Sequence, residues 1–223
     1  MKDKSTCQRL FQEIAEGKIA CPPEDRVEAM IRVGHLIHGV HKDRKRAYRL
    51  YKEIYNLSQT LSQRTEALTQ LSGIMMELAR SDKGNLEECR IFYENALEEI
   101  PIDFVFSRST IELMHLETWS HEKNHKKCIE EAEIYISKYP DYKRNLSMCK
   151  LFLGISKVNL GLNKEAKEIF EEIVQMDLEE KGNKWKDVDV QERAVVWLIH
   201  ICEAQNDFDG AEIWRQYKEQ AFK

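Results

Sequence analysis

The residues best suited to chemistry in this sequence are histidines. His35, His38 and His41 stand within seven positions, in His35-Leu-Ile-His38-Gly-Val-His41. On a helix, His35 and His38 share a face at i, i+3, while His41 falls on another side. Two imidazoles can begin a zinc site, but zinc normally takes at least three protein ligands, and neither a nearby cysteine nor an HExxH pattern completes this one. The group reads as solvated or groove-facing histidines, and no metal is expected.

Other clusters yield no catalytic set. Lys42, Arg44, Lys45, Arg46, Arg49 and Lys52 form a basic run. Such a run can hold phosphate or RNA. These side chains spread around a helix, however, and Lys plus Arg number 34 against 39 Asp plus Glu, a net charge of −5. A solvated turn is the simpler reading, nucleic acid is not the expected partner, and RNA binding through 42–52 stands as the alternative function. Asp177, Glu179 and Gly182 resemble the start of a calcium loop. Its fifth position would be Lys181 and its twelfth Val188, where a carboxylate is required. Trp185, in a charged insertion spanning 178–189, could anchor a partner or fold back over neighbouring elements. No GxGxxG, G-x4-GK[ST] or GxSxG occurs. The abundant carboxylates fall on amphipathic helices, where they form wet faces. An enzyme is not expected, and neither is a cofactor.

The elements that carry these residues are helices. Four prolines and nine glycines in 223 residues are too few for a turn-rich β fold. A composition of 42% hydrophobic and 33% charged residues suits a soluble globular chain. No stretch approaches a membrane span, and the first seventeen residues hold no apolar run long enough for a signal peptide, so a cytoplasmic location is expected. The six scattered cysteines contain no CxxC pair and read as reduced core residues.

In chain order, Cys7, Leu10, Phe11 and Ile14 make one stripe of a first helix over 5–17, ended by Gly17. Pro22-Pro23 opens the next helix, 24–40, which turns at His41-Lys42-Asp43 into 44–58. Further pairs are expected over 62–80 with 85–99, 104–121 with 125–138, and 189–205 with 208–222. The clearest stretch is Leu151 to Val174, LFLGISKVNLGLNKEAKEIFEEIV. Leu153-Gly154 sits on its first helix, Gly161 in the turn, and Ala166 with Phe170 on the second.

This stretch resembles a tetratricopeptide repeat (TPR), whose pattern places Leu-Gly on one helix and A-x3-F on the next. The small residues admit close helix approach and the large one fills the gap. Ala47, Cys89, Cys128, Ala166 and Ala211 take the small slot, with separations of 42, 39, 38 and 45 residues. The standard repeat is about 34 residues, so these units are longer. Tyr51 and Tyr93 take the large slot, but Ala132 and Arg215 depart from it, and Lys150 and Lys157 stand where the family has aromatics. HEAT- or armadillo-like repeats of about 40–47 residues are the competing architecture.

The resemblance implies an all-α, right-handed α-solenoid of about five antiparallel helical hairpins. The chain is expected to form a single repeat domain over 1–223, with an N-terminal helix and linker over 1–23 and hairpins over 24–223. It implies a non-catalytic protein–protein interaction module binding a peptide or helix of another protein in a concave groove. Carrying over the inner-facing positions gives Arg32, His35, His38, Leu113, Glu117, Met148, Leu151, Ile155, Arg193 and His200. One family mode, a Lys, Arg and Asn clamp on the C-terminal carboxylate of chaperones, is not expected, because its positions hold residues such as Leu113, Glu117 and Leu151. The last helix, with Phe208, Ala211, Trp214, Tyr217 and Ala221 on one broad face, is expected to cap the array and hide its aromatics.

Overall fold

The computed structural model describes residues 4–82, 85–176 and 188–222. Asp177, Glu179 and Gly182 of the excluded calcium-loop pattern, Trp185 and most of the 178–189 insertion lie outside them. The described residues form eleven α-helices and no strand. These are α1 (Lys4–Ala15), α2 (Pro23–His35), α3 (Arg44–Leu57), α4 (Leu61–Asp82), α5 (Leu86–Glu99), α6 (Val105–His121), α7 (His125–Lys138), α8 (Lys143–Asn159), α9 (Asn163–Gln175), α10 (Val188–Ala204) and α11 (Phe208–Ala221). None of them is long and apolar enough to cross a membrane. The chain divides into two compact units, Met1–Met114 and His115–Lys223.

Four of the hairpin turns among the described residues share a residue with positive φ: Lys42, Lys123, Gly161 and Asn206. After α6, α8 and α10 the amide three residues past the last helical residue donates to the carbonyl five back: Asn124 to Trp119 at 3.0 Å, Leu162 to Lys157 at 2.9 Å, and Asp207 to Cys202 at 2.9 Å. That is the Schellman closure, which satisfies carbonyls left open at a helix end. A polar side chain then opens the following helix in several hairpins. Asp43, Asn85, Asn124 and Asp207 accept from the amides of Arg46, Glu88, Lys127 and Gly210.

The first turn is one residue wider. The helix expected over 24–40 is α-helical only to His35 and continues as a π-helical segment, Leu36–Val40. Asp43 donates to the carbonyl of Ile37, six residues back rather than five. The π segment absorbs the extra residue while the hairpin still closes.

At three of the junctions between successive helices, a side chain from the incoming helix caps the outgoing one. Arg26 Nε donates to the Ala15 carbonyl at 3.2 Å. Arg108 donates to the carbonyls of Leu97 and Ile100. Gln191 Nε2 reaches the carbonyls of Ile173, Val174 and Met176 at 3.3, 3.1 and 2.9 Å. Each satisfies backbone acceptors that the helix end leaves open.

The small slots are buried throughout: Ala47, Cys89, Cys128, Ala166 and Ala211. So are Tyr51, Tyr93 and Phe170 in the large slots. In the third hairpin the sizes are reversed. Ala132 is buried, and the register position opposite it holds buried Leu116, where the fourth hairpin has Gly154 facing Phe170. The total volume is kept although the pattern is not. Lys150 and Lys157 also fit as departures. Their side chains are 11% and 12% exposed, and their ammonium groups pair with Glu172 and Glu165 on α9. Long aliphatic stems replace aromatic bulk while the charged tips reach partners.

The expectation for α11 holds only in part. Ala211 is buried and Trp214 packs on the core of the second unit, but Phe208 is 64% exposed and Tyr217 38%. Only one narrow side of α11 meets α10, so a face as broad as the one inferred cannot be covered by that contact.

Candidate functional site

In the first unit, one stripe of α4 organises the polar residues. Glu66, Gln70, Gly73 and Glu77 follow one another at i, i+4, i+7 and i+11, which places them on a single helix face. Two of the expected histidines land on this stripe. His35 Nε2 lies 2.9 Å from Glu66 Oε1, and His38 Nε2 lies 3.2 Å from Glu77 Oε1. Gln70 donates to the same Glu66 oxygen at 3.0 Å. Arg44 Nε donates to Glu77 Oε2 at 2.5 Å. The π segment places His38 beside Glu77, since it winds wider than the α-helix before it.

These contacts set the protonation of the acids. The hydrogen bond from His35 holds the Glu66 carboxyl below the ordinary carboxylate range, against the desolvation that would raise it. For Glu77, burial is the largest influence and acts upward; the hydrogen bond from Arg44 and the charges of His38 and Arg44 together outweigh it and lower the carboxyl. Both acids are therefore anionic acceptors at neutral pH.

Beside this stripe a cavity of about 260 Å³ opens between α2 and α4, lined by Glu28, Ile31, Arg32, His35, Ser62, Gln63 and Glu66. Two of its polar side chains are pre-positioned: Arg32 pairs with Glu28 at 2.9 Å, and His35 Nε2 is in hydrogen-bond contact with Glu66. Behind it, Tyr51 is fully buried and its hydroxyl has no hydrogen-bond partner among the described residues. Of the expected set, Arg32 and His35 are thus brought to one cavity, and His38 to an adjacent ion cluster. His41 is exposed and joins neither. Leu113 is half-buried on α6. No group of three or more His, Cys, Asp or Glu among the described residues is arranged to hold a metal ion. The sequence reading missed Glu66, Glu77 and Arg44 as parts of this site; the eleven-residue spacing of the two acids was the available signal.

In the second unit the expected residues separate. Arg193 Nη1 comes within 4.0 Å of Met148 Sδ, joining α10 to α8. His200 is exposed and stands edge-on to Trp197, at 5.7 Å between ring centroids. Trp197 in turn stacks at 6.1 Å on Phe170. Glu117 is 7% exposed and meets His121 Nε2 at 3.2 Å. Ile155 is half-buried and packs on the core.

Leu151 corrects the sequence reading. It is fully buried among Ala166, Phe170, Ile173, Val190, Ala194 and Leu198, and so belongs to the core rather than to a groove surface. The helix α8 carries apolar residues on two sides because α7, α9 and α10 all pack on it.

Three side chains of the basic run have partners within the first unit. Arg44 is committed to Glu77, Arg49 Nε reaches the Lys45 carbonyl at 3.4 Å, and Lys52 lies 5.6 Å from the centre of the Tyr48 ring.

Antiparallel hairpins with small–large packing slots, chained in sequence and built without sheet among the described residues, define an all-α helical-repeat fold. It is the TPR-like fold. The chain superposes on the crystal structure of BtubC (BKLC) from P. vanneervenii with a TM-score of 0.70 at 14% identity, covering 97% of this chain and 87% of that one. It is also similar to a crystal structure of nearly identical TPR-like repeats from Podosopora anserina, with a TM-score of 0.60 at 11% identity over 90% of this chain and 96% of that one. No family model matches the sequence, and no curated protein is significantly similar to it.

Proposed function

We propose that this chain is a non-catalytic protein-interaction module that binds a peptide or helix of another protein. The observation that carries the reading is the α2–α4 cavity, where Arg32 and His35 are each held by a carboxylate while remaining exposed. Side chains fixed in advance lose less freedom on binding, which favours recognition over adventitious contact. Arg32 and His35 would orient a polar or charged peptide group, with Ile31 beneath as apolar contact. Within the second unit, Met148 with Arg193, and Trp197 with His200, would offer a contact surface of its own. The TPR-like fold supports an interaction scaffold, and the cytoplasm is the compartment that fits this role.

The test is quantitative co-purification from the source cell with wild type and with Arg32→Ala/His35→Ala. Both side chains are exposed, so the fold should be retained. Loss of specific partners from the double variant, with unchanged helicity, is the expected result. An identical partner set would overturn the proposal. The RNA-binding alternative receives no support from the arrangement of residues 42–52.

A further inference from the structure

The opposite face of α4 carries a second, chemically different site. Leu68, Leu71, Met75, Leu78 and Ala79 follow one another along that face, turned about half a revolution from the Glu66–Glu77 stripe. They floor two adjoining cavities between α3 and α5. The larger, about 320 Å³, is lined by Tyr48, Tyr55 and Phe92 over Leu68, Leu71 and Ala96, with Lys52, Asn56, Asn95 and Glu99 at its polar margin. The smaller, about 230 Å³, is lined by Tyr48, Met75, Leu78, Ala79, Asn85, Glu88 and Cys89. Tyr48 is common to both, so they form successive pockets of one groove.

Three features define what would fill it. First, the pockets are aromatic and aliphatic with a polar margin, the composition of anchor pockets at protein interfaces. Second, their floors are displaced along α4 by seven to eight residues, on the order of 11 Å at the helical rise. That is the separation of residues i and i+7 on a partner helix. Third, the α3 margin carries two lysines that form no ion pair among the described residues, facing Glu88 and Glu99 on the α5 side. Lys45 and Lys52 share a face with Tyr48 at i−3 and i+4. Both are exposed, and neither has a carboxylate partner among the described residues. Tyr55 is fixed across the groove by its hydroxyl, which donates to both Glu99 oxygens at 2.8 Å.

We infer that the α3–α5 groove of the first unit binds an acidic amphipathic helix of a partner protein, with two large apolar residues seven positions apart and acidic residues along the flank that meets Lys45 and Lys52. The apolar anchors supply most of the affinity, and the lysines fix direction and speed the encounter. This site lies on the other side of α4 from the α2–α4 cavity and stands independently of it.

The test is selection of a displayed library of randomised helical peptides on the purified chain, with Lys45→Glu/Lys52→Glu as the counter-selection target. The recovered peptides should carry large apolar residues at i and i+7 and acids on one flank. Charge reversal should weaken them by about tenfold or more, and peptides with lysine on that flank should then be preferred. Asn95→Trp, at the exposed mouth of the larger pocket, should weaken the same peptides without altering the melting midpoint. If no recovered peptide depends on Lys45 and Lys52, the inference is overturned. It is equally overturned if the recovered peptides lose binding with Arg32→Ala/His35→Ala instead.

Discussion

A Cβ atom on Gly34 would lie 2.7 Å from Cζ of Tyr51. The same relationship recurs in the fourth hairpin, where a Cβ on Gly154 would lie 2.6 Å from Cε1 of Phe170. In both cases the first helix gives up its side chain so that a ring from the second can lie against its backbone.

Gly154→Ala should therefore destabilise the chain, although alanine is the better helix former. The gain in helix propensity is about 1 kcal/mol, while overpacking costs about 1–3 kcal/mol. A lowered denaturation midpoint is expected, and Phe170→Leu in the same chain should recover part of the loss. A raised midpoint for the single variant would mean that the hairpin packs otherwise.

Tyr51 offers a substitution in the opposite direction. Its hydroxyl is buried without a partner among the described residues, and burial pushes the phenol's pKa far above its usual value. A buried unsatisfied polar group costs about 1–3 kcal/mol. Tyr51→Phe should leave the melting midpoint unchanged or raise it. A clear loss of stability would reveal a hydrogen bond to that hydroxyl.

Leu151 separates core from surface. Leu151→Glu places an unpaired charge among fully buried side chains and should cost more than about 3 kcal/mol, unfolding the second unit. Arg193→Ala, at a half-buried position, should leave helicity intact. Circular dichroism with thermal melting distinguishes the two, and a folded Leu151→Glu variant would place this residue at the surface after all.

The His35–Glu66 pair has a defined pH signature. The Glu66 carboxyl is depressed in the folded chain, so its contribution to stability is full above the ordinary carboxylate pKa. It fades as pH falls through the lower, folded value. Glu66 is partly exposed, so solvent screening keeps the contribution modest. Carboxyl titration by NMR should show Glu66 moving upward in His35→Ala. An unmoved titration would show that His35 does not hold it.

Thiol chemistry reports the packing of the second unit. Cys128 and Cys149 are fully buried, and desolvation raises both thiols. Cys7 is exposed. In the native chain a thiol reagent should modify Cys7 rapidly and leave Cys128 and Cys149 untouched until denaturant is added. Rapid native labelling of Cys149 would contradict its place in the core.

Local signals along the chain specify the helices and their pairing. Periodicity, turn residues such as Asn206-Asp207 and the Ala166–Phe170 spacing are local signals, and each acts within a few residues of where it is written. The small slots were legible for the same reason, since a crossing too close for a large side chain excludes one wherever it occurs. Which face of a helix remains exposed is decided by its neighbours. Leu151 and Ile155 lie on one stripe of α8, yet α9 and α10 bury the first fully and leave the second half-covered. His35 and His38 were found by their spacing, but their acids lie 31 and 39 residues away on α4, and no local pattern joins them. Tertiary packing alone brought those acids within hydrogen-bond reach and lowered their pKa values, because the electrostatic interactions responsible act only at such short range.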